Sequence, residues 1–125
     1  MNLNRIQYDI NNAQGYFKYV EDHSTSAGGL MSLAALQTSV RLYTLEINFP
    51  YSYPNEMPKV YVRKPHLKNS PHQYPNNRIC YLHPSVWNPG RHDLTFVISR
   101  SAKWLAKYEV YCSKGRWPGA GIDHN

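Results

Sequence analysis

The chain has 125 residues with 42% hydrophobic content, eleven tyrosines, three tryptophans, two cysteines and a net charge of +6, which suits one modest core over residues 1–125 and no dependence on disulfides. No apolar run approaches the ~20 residues that cross a bilayer, no secretory n-region or h-region opens the sequence, and the fourteen Lys and Arg are scattered without the clustered footprint of a nucleic-acid binder. The expectation is a cytoplasmic domain with free thiols and neither a membrane nor a nucleic acid as partner.

Leu3, Ile6, Ile10 and Ala13 recur at spacings of three, four and three, which predicts a helix over 3–14 that buries this set and stops at Gly15. The aromatic and β-branched run 16–21 predicts a first strand, the polar run 23–29 a turn, and 30–36 a second strand. From Val40 to Phe49, Tyr43, Leu45, Ile47 and Phe49 alternate with Thr44, Glu46 and Asn48, the pattern of a half-buried antiparallel strand. Three prolines shape a turn over 49–58, and 59–63 reads as a fourth strand that Pro65 ends. Beyond a long loop, Asp93 is the N-cap of a helix that carries Leu94, Val97, Ile98, Ser101, Trp104, Leu105, Tyr108 and Cys112 on one face and closes at Gly115. Cys112 is expected to be structural there, and Trp117 to dock back from the tail. The fold class is α+β: an N-terminal helix, a four-stranded antiparallel meander covered on one face, a long loop and a C-terminal helix.

The chemistry concentrates in that loop, Ser70 to Trp87, reading SPHQYPNNRICYLHPSVW. Its prolines stiffen it, its composition argues against regular strand or helix, and a long loop in a small domain is usually functional. Cys80 lies in it with Arg78, His72 and His83 near in sequence, so one reading is a nucleophilic thiolate favoured by positive charge. The bland alternative is a small buried hydrophobe. A metal reading can draw on His66, His72, Cys80, His83 and His92, but only Cys80 and His83 form a tight pair, where structural zinc sites use two. A hydrolase would need an oriented base, and the histidines outside the loop, His23 and His124, stand in a turn and in the tail.

The motif order resembles the ubiquitin-conjugating enzyme family. FPYSYPNEMPKVYV at 49–62 is similar to that family's proline-rich turn and following strand. PHQYPNNRIC at 71–80 resembles the segment that carries a His-Pro-Asn motif, then Tyr-Pro, then Ile-Cys, with the cysteine eight residues past the motif's Asn; Trp87-Asn88-Pro89 follows as a tryptophan with x-Pro. Trp104, Leu105, Tyr108, Glu109, Gly115, Trp117 and Gly119 resemble the final helix of a bacterial branch, the stand-alone conjugating proteins of antiphage cyclic-oligonucleotide (CBASS) operons.

The resemblance implies a ubiquitin-conjugating (UBC-like) fold and an acyl carrier without cofactor. Cys80 would hold a polypeptide C-terminus as a thioester, from a cyclic-oligonucleotide synthase or a ubiquitin-like protein, and pass it to a protein or small amine acceptor. Ser70-Pro71-His72 stands where relatives have His-Pro-Asn, so His72, or backbone N–H groups, would supply the oxyanion hydrogen bond. Tyr74 is expected to pack under the loop, Trp87, Trp104 and Tyr108 to fix it, and Asp93 to cap its helix. With no segment after residue 115 resembling the further helices of eukaryotic members, their ligase surfaces are not implied. A non-catalytic module of the same fold and a basic nucleic-acid-binding domain are the competing readings.

Overall fold

The computed structural model describes residues 1–24 and 29–119. Helix α1 spans Leu3–Gln14, started by Asn2, whose side chain accepts the Arg5 N–H at 3.1 Å. Its buried face is Ile6, Asp9, Ile10 and Ala13. Leu3, expected in that set, is exposed, and an acidic residue takes the inner position. Gly15 ends the helix as expected, although at φ −76° it uses none of its left-handed freedom.

The first strand begins later than the aromatic run suggests. The amides of Tyr16 and Phe17 bond back to the Ala13 carbonyl, so the chain is still leaving the helix there, and β1 covers Val20–Ser24. Residues 25–28 of the expected turn lie outside the described residues. Strands β2 (Leu30–Gln37), β3 (Leu42–Asn48) and β4 (Lys59–Lys64) follow as the alternation predicts, with Tyr43, Leu45 and Ile47 facing inward. Thr38 organises the β2–β3 turn: its hydroxyl accepts the N–H groups of Val40 and Arg41 at 3.1 Å.

The sheet is larger than the predicted four-stranded meander. Two short strands, β5 (Gln73–Tyr74) and β6 (Arg78–Ile79), arise inside the loop that its composition marked as irregular, and the six strands run antiparallel in the order β1-β2-β3-β4-β6-β5. The cause is the tripeptide Pro75-Asn76-Asn77. Asn76 and Asn77 hold φ of 66° and 60°, and the Pro75 carbonyl accepts the Arg78 N–H, a hairpin turn of the type that needs two left-handed residues. Asparagine tolerates that conformation, so prolines outside the ladder do not prevent pairing inside it.

Helix α2 spans Leu94–Lys114. Asp93 caps it by accepting the Phe96 N–H at 2.9 Å, and Gly115 closes it at φ 75°, both as expected. Its inner residues Leu94, Val97, Ile98, Trp104 and Leu105 join Leu45, Ile47, Val60, Val62 and Ile79 of the sheet and Ile6 and Ile10 of α1 in one buried cluster. The arrangement is the α+β order expected of a UBC-like fold: helix, antiparallel sheet, helix. Cys112 is exposed, so the structural role read from its helical spacing does not hold: the buried stripe ends at Tyr108, one turn before it. Trp117 docks back as expected, its ring 5.3 Å from that of Trp104. No helix among the described residues is long and apolar enough to cross a membrane.

Candidate active site

The hairpin β5–β6 explains where Cys80 sits. Tyr74 pairs with Arg78 and Gln73 with Ile79, so Ile79 points into the core while Arg78 and Cys80, two residues apart, share the face that Tyr74 also occupies. A large aromatic diagonal to a residue on the neighbouring strand can reach it. The Tyr74 hydroxyl accordingly lies 3.5 Å from Cys80 Sγ and donates to it. The Arg78 guanidinium lies 4.3 Å from the centroid of the Tyr74 ring.

Cys80 is 7% exposed, and its thiol points at the Leu82 carbonyl at 3.9 Å. Its amide is fixed from behind, because the Cys80 N–H donates to the carbonyl of His72 at 3.0 Å. That same oxygen accepts the indole N–H of Trp104 at 2.9 Å, which ties the cysteine's backbone to α2. His72 is opposite Cys80 in the continuing ladder, yet it adopts φ 59° and leaves strand geometry, and its ring stands 5.2 Å from that of Trp117.

The phenol of Tyr74 is held above its ordinary pKa, first by its hydrogen bond to Cys80, then by burial and by the nearby sulfur, with Arg78 opposing. It therefore stays protonated through neutral pH and acts as a donor. Sequence reasoning gave Tyr74 only a packing role. The signal that reveals it is Asn76-Asn77, a two-residue hairpin turn that places Tyr74 against Arg78 and beside Cys80.

The segment after the cysteine is anchored on both sides. Trp87 Nε1 donates to the Pro54 carbonyl at 2.7 Å, and the Trp87 ring leans on Tyr53. Arg5 of α1 donates to the carbonyls of Pro89 at 3.2 Å and His92 at 2.8 Å, while Asp9, 1% exposed, holds the same guanidinium and accepts the Tyr53 hydroxyl. Tyr108 keeps its expected place by accepting the Lys68 N–H at 2.8 Å.

Of the candidate metal ligands, His72 and Cys80 stand opposite each other, while the other three are engaged elsewhere. His66 pairs with Asn77, His83 caps the 3-10 turn at Pro84–Val86 through Ser85, and His92 stacks on Phe96 at 4.0 Å. No group of three His, Cys, Asp or Glu able to hold a metal occurs among the described residues.

Comparison with known proteins assigns the sequence to a family. A chain from a complex of the Vps23 UEV with ubiquitin aligns at 12% identity over 81% of this chain and 92% of its own, with a TM-score of 0.46. No curated protein matches the sequence. The model of the family described as type II CBASS E2 protein matches residues 9–125. That span takes in the second half of α1, the whole sheet, the cysteine hairpin and α2, and the chain belongs to the type II CBASS E2 protein family, E2-like proteins of bacterial antiphage defence.

Proposed function

We propose that this E2-family chain carries a polypeptide C-terminus as a thioester on Cys80 and passes it to an amine. The donor is a C-terminus already activated as a thioester on a partner's thiol, with the family's setting favouring a cyclic-oligonucleotide synthase, or a ubiquitin-like protein, as the polypeptide carried. Cys80 Sγ, as thiolate, attacks the carbonyl carbon. The tetrahedral intermediate collapses, the new C–S bond stays, and the partner's thiolate leaves. In the second step an amine nitrogen attacks the same carbon, the C–S bond breaks, the amine's proton goes to water, and the Cys80 thiolate is regenerated as the amide forms. A thioester is activated enough that no resident base of protease strength is required.

The observation that carries this reading is the pinned cysteine: an amide fixed by the His72 carbonyl and a sulfur that faces a phenolic donor. His72 has two parts in it. Its carbonyl orients Cys80, and its imidazole N–H is proposed as an oxyanion donor in place of the family's usual asparagine. Activation of the donor and the identity of the acceptor belong to partners of the chain.

The test is incubation with the candidate synthase and its activating partner, followed by a non-reducing gel. An adduct on Cys80 that thiol dissolves, and that becomes thiol-stable as an oxyester in Cys80→Ser, supports the carrier. Absence of any adduct with every partner rejects it. A second reading, a non-catalytic binding module of the same fold, draws on the burial of Cys80 at 7% exposure. Under it, Cys80→Ser binds partners as the unaltered protein does and no covalent product forms with either.

A further inference from the structure

We infer that Tyr74 is a catalytic hydrogen-bond donor of the acyl transfer, its hydroxyl following negative charge from the Cys80 sulfur onto the carbonyl oxygen as the tetrahedral intermediate forms. The inference rests on the carrier reading of Cys80. Its grounds are geometric. An oxyanion hole built on a nucleophile's own amide is closed here, because the Cys80 N–H is already engaged by the His72 carbonyl at 3.0 Å. The Tyr74 hydroxyl stands 3.5 Å from Sγ. In a tetrahedral thiol adduct the oxygen lies within about 3 Å of the sulfur, so a donor placed at the sulfur reaches the oxygen by a small torsion of its O–H without moving its ring.

The ring itself is fixed. Tyr74 pairs with Arg78 in the ladder, and the guanidinium of that partner lies 4.3 Å from the ring centroid. A cation over the ring draws electron density from it and makes the O–H a stronger donor. The phenol nonetheless keeps its proton at neutral pH, since its bond to the sulfur and its burial oppose ionisation. Tyr74 keeps its own proton throughout: it donates a hydrogen bond to the thiolate, then to the oxyanion, and then to the thiolate again when the amide product leaves.

The experiment separates charge on oxygen from charge on sulfur. In a Cys112→Ser background, so that one thiol reports, Cys80 is acylated by the benzyl thioester of acetylglycine and, separately, alkylated by iodoacetamide, each followed by intact mass. Acylation passes through an oxyanion; alkylation does not. Tyr74→Phe keeps the ring against Arg78 and removes only the hydroxyl. It is expected to slow acylation by about 100-fold, the cost of one oxyanion donor, and to slow alkylation at least ten times less. Equal slowing of both reactions, or an acylation rate unchanged by Tyr74→Phe, overturns the inference and leaves the carrier reading standing. Acylation of the unaltered Cys80 no faster than that of a free cysteine peptide overturns both.

Discussion

The carbonyl oxygen of His72 accepts the amide N–H of Cys80 at 3.0 Å and, at 2.9 Å, the indole N–H of Trp104, so a single atom joins the cysteine hairpin to the last helix. Trp104 is 2% exposed and stacks on Tyr108, which in turn holds the Lys68 amide. Trp104→Phe keeps an aromatic body there but strips one hydrogen bond from the His72 oxygen and leaves a gap. The expected cost is about 1–2 kcal/mol in urea unfolding, one hydrogen bond plus incomplete repacking. Amide exchange at Cys80 should also quicken relative to the rest of the sheet. A loss of stability with no change at Cys80 would mean that Trp104 only fills the core.

The turn that builds the hairpin offers a second test. Asn76 is exposed and holds φ 66°. A β-branched side chain crowds the backbone in that region, so Asn76→Val is expected to cost about 1–2 kcal/mol, while Asn76→Gly is neutral or better. Because Tyr74 and Cys80 face each other only while β5 and β6 pair, Asn76→Val should also weaken Cys80 acylation more than Asn76→Gly does. Equal stability of the two variants would contradict the turn assignment.

These positions also mark how far the sequence could be read. The alternation at Tyr43, Leu45 and Ile47 and the caps Asp93 and Gly115 are local signals, and each stands where its pattern puts it. The motif order likewise leads to the family that the match over residues 9–125 bears out. What stayed hidden depends on pairing across the chain. Four prolines near Cys80 argue for a loop, yet only Gln73 and Tyr74 must pair with Ile79 and Arg78, and no proline stands among these four. The inner position of Asp9 is invisible for the same reason: Arg5 reaches it from one turn back on the same helix, but Tyr53 meets it only after α1 has packed against the 49–58 turn.

Asp9 supports the third prediction. Its carboxylate takes the Arg5 Nε at 3.0 Å and the Tyr53 hydroxyl, and the same arginine reaches the carbonyls of Pro89 and His92 beyond the cysteine. Asp9→Asn strands the guanidinium opposite a neutral amide. Breaking a fully buried pair costs about 3–5 kcal/mol, and since the Arg5 side chain is 26% exposed, water takes part of its place. A loss of about 2–3 kcal/mol in urea unfolding is expected on that scale. The Arg91 and His92 amides, which bond to the Asn88 carbonyl, should exchange faster. An unchanged midpoint would show that the network has no hold on the loop.

His92 gives the protein an acid-sensitive contact. Its ring lies 4.0 Å from that of Phe96 and nearly parallel to it, and its Nδ1 accepts the Asn88 N–H at 3.0 Å, which requires that nitrogen to be unprotonated. Burial first, then the charges of Arg91 and Arg100, hold its pKa below the usual histidine value, with Asp93 opposing. The sign follows from proton counting. Above about pH 6.5 both folded and unfolded chains carry a neutral ring, so the contribution of His92 is present in full. As pH falls from there the unfolded chain takes up a proton that the folded chain resists, and stability declines until the folded ring is protonated too. Urea unfolding between pH 8 and 5 should therefore fall away on the acid side, by at most about 1.4 kcal/mol per pH unit from this group. His92→Asn keeps an acceptor for the Asn88 amide without a group that titrates. It should unfold at lower urea throughout, for want of the stack on Phe96, but with a shallower acid limb, and an acid limb of undiminished slope would assign the effect to another histidine.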